Sequence, residues 1–237
     1  MNKIDIKWEL VKDRKTLYKA FLSCKKTFGE EELDPYKWWI EDYESTRNGK
    51  NIHPYYCILG FYKNKVIAGI SWNIFNIENI QVAGIGYLWV DKLSGMQHKG
   101  IGSLLLNRAE SFIENNSKKI GAFFLESNKD IPELKIKSSV GFWEKQNYKK
   151  LDKFNYFSPC VKFDSHSGKP LLKEVPLEFM VKTIEKKVIE KNFIKKIISV
   201  VYKDWYYQKK EDFSNDSAFN KANKYIDTKL EEILKSL

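Results

Sequence analysis

Cysteine is scarce: Cys24, Cys57 and Cys160 are isolated and odd in number. That excludes a disulfide framework and any C-x-x-C zinc or redox centre, and free thiols point to a reducing, cytoplasmic setting. Long apolar runs are missing too. The uncharged stretches 66–77 and 79–90 are separated by Glu78, and neither approaches the ~20 residues of a membrane-spanning helix. Lys3, Asp5 and Lys7 interrupt the start, where a signal peptide needs an apolar core. Arginine is nearly absent, since Arg14, Arg47 and Arg108 are the only arginines among 41 basic residues. The net charge of +10 is therefore a lysine charge. Lys, Asn and Ile, all written with A/T-rich codons, fill about a third of the chain. Because the excess is spread along the chain, a nucleic-acid partner is disfavoured against a mildly basic enzyme holding an anionic cofactor.

What is present is a foldable chain: 237 residues, 43% hydrophobic and 15% aromatic, enough for one large domain or a domain with an appendage. Ile4–Leu10 alternates apolar and polar residues as a half-buried strand does. Asp13 is placed to cap a helix to about Lys26, and Asp34-Pro35 opens a second helix rich in aromatics. Three strands follow at 55–62, 66–75 and 81–90, with Lys63-Asn64-Lys65 as a tight hairpin, giving an antiparallel meander. After Val90 a loop leads to a helix from Gly100, then a buried strand at Ala122–Leu125, which implies a parallel crossover. A helix over 133–146 and late strands at 148–151 and 159–163 complete this part. Residues 165–172 read as a linker. Beyond them Leu177, Val181, Ile184 and Val188 form one helical stripe, Ile194 to Trp205 another, and Phe219 to Leu234 a third, with a break near Asn192. The expected organisation is thus 1–164 as a globular domain, a linker, and a helical extension over 173–237.

The stretch most informative about chemistry is Gln97-His98-Lys99-Gly100-Ile101-Gly102-Ser103, between a strand and an amphipathic helix. Two glycines let backbone N–H groups approach an anion, the helix start adds partial positive charge, and Lys99 and the Ser103 hydroxyl can add contacts. A Walker loop is excluded because Ile101-Gly102 stand where Lys-Ser/Thr belong. A Rossmann fingerprint is excluded because Leu105 occupies the place of its third glycine. Tight packing at a helix start is the bland alternative.

In order along the chain, the meander, Q-x-x-G-x-G, helix, buried strand and Phe142-Trp143-Glu144-Lys145-Gln146-Asn147-Tyr148 resemble the GNAT superfamily of acyl-CoA-dependent N-acetyltransferases. The resemblance covers about 1–164. Val66-Ile67-Ala68-Gly69 is similar to the family's strand segment I-V-G, Leu88-Trp89-Val90 to its cofactor-lining L-x-V, and Gln97–Gly102 to its [QR]-x-x-G-x-[GA]. It implies an α+β fold: a mixed, mostly antiparallel central sheet with flanking helices, here with a C-terminal helical extension. It also implies acetyl-CoA as co-substrate, without a metal, and a small-molecule or peptide primary amine as acceptor. On that reading the pantetheine arm lies between two splayed strands and bonds the Val90 backbone beside Leu88. The amides from His98 to Ser103, with Gln97, hold the pyrophosphate.

The resemblance carries Asn128 as a contact to the cofactor arm and Trp143 as a cofactor contact. The family's tyrosine acid stands where this chain has Trp143, and an indole does not release its proton at neutral pH. Asn147-Tyr148 replaces Gly-Phe. Tyr148, or Tyr156, is the substitute acid, with a strand aromatic as the alternative. Glu126, at a strand end, is a candidate general base acting through water, with a solvated carboxylate as the alternative. The acceptor side is expected near Glu30-Glu31-Glu32-Leu33-Asp34 and the aromatics Tyr36, Trp38 and Trp39, since carboxylates and rings suit a cationic amine. A different class remains open: a silent acyl-CoA-binding module acting through its tail, as monomer or homodimer.

Overall fold

A computed structural model describes residues 5–28, 32–130, 138–151, 154–163, 170–184, 190–206, 213 and 215–237. The chain divides into two compact units, Met1–Phe123 and Phe124–Leu237.

The first unit opens with β1 (Lys7–Leu10), α1 (Arg14–Lys25) and α2 (Tyr36–Arg47). Asp13 caps α1 as its position demands, its Oδ1 accepting the Thr16 N–H at 2.7 Å. The helix buries Leu17, Ala20 and Cys24 on one face, at the spacing read from the sequence. Then come β2 (Tyr55–Tyr62), β3 (Lys65–Ile77) and β4 (Ile80–Val90), paired antiparallel with β1 in the order β1-β2-β3-β4. The meander is as expected. Between β3 and β4 the register shifts: Ser71 faces Tyr87 while Trp72 faces Ile85, which leaves Gly86 as the extra residue of a bulge. Trp89 lies on α1, its indole N–H donating to Ser23 Oγ at 3.1 Å. A side chain at Gly69 would meet the Trp89 ring at 2.2 Å, which explains the glycine there. After a turn, α3 (Ile101–Asn116) returns along the sheet, and Gln81 receives the chain at the start of β5 (Ile120–Asn128) through its N–H to Lys119 O at 2.8 Å.

The second unit holds most of β5, then α4 (Val140–Lys145), β6 (Lys149–Lys150), β7 (Tyr156–Phe163), β8 (Pro170–Thr183), α5 (Lys191–Val201), a π-helical turn at Tyr202–Tyr206 and α6 (Asp216–Ser236). Its strand order is β5-β8-β6, with β7 also paired to β8. The sheet is mixed and mostly antiparallel, with flanking helices and a C-terminal helix.

One expectation is overturned here. Residues 173–183 are strand, not helix: β8 pairs antiparallel with β7 from Tyr156↔Leu177 to Phe163↔Pro170 and with β6 at Lys149↔Val181. Leu177, Val181 and Ile184 fit a helical spacing, but Leu177, Phe179 and Val181 fit period two as well, and all three are buried. Pro176 decides between them, because it lacks the N–H a helix interior needs and has a ring that clashes there. The helical extension therefore begins only at α5, beside the break expected near Asn192. The expected linker 165–172 lies outside the described residues up to 169, and from Pro170 it is strand. Residues 131–137, including the start of the helix expected from 133, lie outside the described residues.

Candidate active site

The loop after β4 is built around left-handed residues. Asp91 Oδ1 accepts the Leu93 N–H at 2.8 Å and starts a short 3₁₀ turn closed by Gly95 at φ +66°. His98 follows at φ +61° and Gly100 at φ +77°, so the backbone reverses twice within three residues. Gly100 is the N-cap of α3 and offers no side-chain acceptor. The first helical bond runs from the Leu104 N–H to Gly100 O at 3.0 Å. The N–H groups of Ile101, Gly102 and Ser103 precede it and have no acceptor among the described residues. Three unsatisfied donors at the start of a sixteen-residue helix, with exposed Lys99 and His98 beside them, make an anion cradle. A Cβ on Gly100 would meet nothing within 4 Å, so the space above the loop is open. Gln97 turns back, donating from Nε2 to Val90 O at 3.3 Å, which ties the cradle to the end of β4. Val90 and the loop Gln97–Ser103 are thus joined, with Leu88 two residues back along β4.

In the second unit, Glu126 lies half-buried near the end of β5 and accepts hydrogen bonds from both the Tyr156 and Tyr206 hydroxyls. Burial is the first cause that pushes both phenols well above their ordinary range, with the Glu126 charge next. Each phenol has one proton, and Glu126 takes it, so in this arrangement neither phenol is placed to act as an acid. Tyr156, one of the two sequence candidates for that role, is a carboxylate ligand instead. Asn128 closes the same strand and is half-buried. Ser127, between them, is tied to Ser139 at 2.9 Å, at the N-cap of α4.

Trp143 is buried on α4, with its ring edge-to-face against Tyr148 at 5.3 Å and Phe142 at 5.0 Å. Tyr148 is only 1% exposed. Asn147 explains a departure from the family pattern. It sits at φ +67°, the conformation glycine supplies in G-F, and asparagine is among the few other residues that visit it readily.

Two features escaped sequence reasoning. Tyr206 lies eighty positions from Glu126, and only the π turn brings it back. Tyr87 is a strand residue of β4, yet its hydroxyl donates to Asp34 Oδ2 at 3.0 Å and accepts the Asp34 N–H at 3.0 Å, fastening the α1–α2 connection to β4. Nothing local in the sequence marks Asp34 as its partner, fifty-three positions away.

A model of the acetyltransferase (GNAT) family matches residues 14–132. Among solved structures, an acetyltransferase of the GNAT family from Desulfovibrio desulfuricans is similar with a TM-score of 0.50 at 12% identity, over 76% of this chain and 99% of that one. The glucosamine N-acetyltransferase region of a fungal multi-domain β-N-acetylglucosaminidase is similar with a TM-score of 0.52 at 12% identity, over 70% of this chain and 20% of that one. These likenesses establish the fold. No curated protein matches. With its family match spanning half the sequence, and the meander, the uncapped α3 start and the glycine loop in the expected order, the chain belongs to the acetyltransferase (GNAT) family.

Proposed function

We propose that the protein moves the acetyl group of acetyl-CoA to a primary amine by direct attack in a ternary complex. The observation that carries this reading is the uncapped start of α3, whose first three backbone donors have no acceptor among the described residues, with open space beside Gly100. A pyrophosphate supplies the negative oxygens they lack. Val90 and Leu88 then line the arm, while Asn128 and Trp143 are assigned to the cofactor by the family resemblance alone.

The chemistry requires a neutral amine next to the thioester carbonyl, so positioning and proton removal are the protein's work. Glu126 is the proposed base, reached through water, with Tyr156 and Tyr206 fixing its orientation. Tyr148 is the proposed donor to the departing thiolate. That step needs little help, because a thiolate of ordinary basicity leaves without full protonation.

A second reading, a silent acyl-CoA-binding module, is favoured by two observations. Trp143 occupies the acid's place, and both Glu126 oxygens already accept phenols. Thiol release from acetyl-CoA across polyamines, aminoglycosides, amino acids and peptide N-termini decides between them. Turnover with any amine supports the transferase; tight coenzyme A binding with turnover on none supports the module.

A further inference from the structure

The first unit holds a groove of about 560 Å³ between β1, β2 and α3. Small-ligand sites fall in the range of about 300–1,000 Å³. The helix contributes Leu104, Asn107, Arg108 and Ser111, whose i, i+3, i+4, i+7 spacing sets them on one stripe. The strands contribute Trp8, Leu10 and Ile58. Because β1 ends the order β1-β2-β3-β4, the groove stands at the opposite edge of that meander from Leu88 and Val90. Acetyl transfer gives none of these residues a task.

The lining is mostly apolar. Trp8 lies so close to β2 that a Cβ on Gly60 would fall 2.6 Å from its ring, so the missing side chain is what seats the indole. Phe112, also in the lining, is fixed by Trp72 at 5.8 Å and Tyr56 at 6.1 Å. Leu104 stays 45% exposed on the same stripe.

Arg108 supplies the charge. The chain's two other arginines are engaged by protein: Arg14 pairs with Glu44, and Arg47 donates to Lys12 O at 2.6 Å and to the Tyr43 hydroxyl at 3.0 Å. Arg108 lies over the Trp8 ring at 5.6 Å and has no hydrogen-bond or ion-pair partner among the described residues. Contact with a ring spends none of its five in-plane N–H donors on an acceptor. The one acid of the lining, Glu9, is paired with Lys7 at 2.5 Å. An apolar trough with one unspent guanidinium is complementary to an apolar body carrying one negative charge. From Leu104 to Phe112 the helix rises about 12 Å, the extended length of a medium-chain fatty acid.

We propose that this groove binds a medium-chain aliphatic carboxylate, its head on the Arg108 fork and its chain along Leu104, Leu10 and Phe112. Asn107 and Ser111, neutral neighbours of Arg108 on the stripe, add donors without adding charge. The site does not depend on the transferase reading.

The test is calorimetric titration of the full chain with octanoate and with octanol, with and without saturating coenzyme A, for the wild type and Arg108→Gln. The wild type should bind octanoate saturably and roughly 10-fold more tightly than octanol. Arg108→Gln should lose that preference, binding octanoate roughly 10-fold more weakly and octanol as before. Coenzyme A should leave the octanoate affinity unchanged. Glutamine is nearly as good a helix former as arginine, so the variant should melt close to the wild type. If it melts early, the octanoate-to-octanol ratio of the wild type decides alone. No saturable octanoate binding, equal affinity for acid and alcohol, equal octanoate affinity in the two proteins, or displacement by coenzyme A each overturns the proposal; the last would make Arg108 an extension of the cofactor cradle.

Discussion

Gly95 and Gly100 share a left-handed backbone, at φ +66° and +77°, and at both a Cβ would meet nothing within 4 Å. An alanine at either therefore brings the same backbone strain, about 1–2 kcal/mol. Only Gly100 caps the helix whose N–H groups form the cradle. Gly100→Ala should lower both thermal stability and coenzyme A affinity, while Gly95→Ala should lower stability to a similar degree and leave that affinity nearly intact. Titration with coenzyme A checks it, and equal affinity losses would move the cradle elsewhere. Glu126 admits a similar separation. In Glu126→Gln the amide oxygen still accepts one phenol, but the amide nitrogen faces the other with a donor. A destabilisation of about 1–3 kcal/mol follows from the misfitted pair. If the carboxylate is the base, turnover falls roughly 100-fold besides, with the acetyl-CoA KM unchanged. An intact kcat would leave Glu126 as a clasp on the π turn. The glycine loop was legible in sequence because its signal is local and conformational. The Glu126 and Asp34 contacts were not, because their partners stand eighty and fifty-three positions away.

Among elements, α1 and the β2–β4 meander were readable for one reason: a cap, a hairpin turn or a clean period marked each within a few residues. Strand β8 carries two overlapping periods, an apolar 3–4 spacing and an alternation, and Pro176 alone separates them. Its inward face carries much of the second unit's packing. Phe179 is 1% exposed, stacks on Phe124 at 5.6 Å and meets Tyr156 at 5.0 Å, which makes it the centre of the second unit's aromatic packing. Phe179→Ala should cost about 3–5 kcal/mol, seen as a lower denaturation midpoint. Were residues 173–183 helical and peripheral, the same change would cost far less.

At the scale of the whole molecule, stability should fall in alkali. Burial raises Tyr55, Tyr87, Tyr156 and Tyr206 well above their ordinary value. Unfolded, each loses its proton near pH 10, whereas the folded protein keeps it. Folding then binds the protons that the unfolded chain gives up, so the contribution is complete below about pH 10 and drains away as pH rises towards the folded values. Denaturant midpoints at pH 7, 9 and 11 should be nearly level over the first interval and drop over the second. The C-terminal part faces a harsher trial. Removing residues 173–237 deletes most of β8, which pairs with β7 along its whole length, and with it the phenol of Tyr206 on Glu126. Removing 213–237 takes only α6, which lies on β7 and β8 and is fastened by Lys229 to Glu174 at 2.7 Å. Its inner face, with Ala222, Ile226, Leu230 and Ile233 buried, would leave an apolar surface behind. The longer deletion should yield insoluble protein, because it leaves β7 as a bare edge over a broken core. The shorter one should yield a soluble but destabilised chain whose coenzyme A affinity is retained, since the cradle lies wholly in the first unit. A soluble, fully stable protein after the longer cut would mean that β7 and β8 are dispensable to the fold, and would return the tail to the role of an independent module.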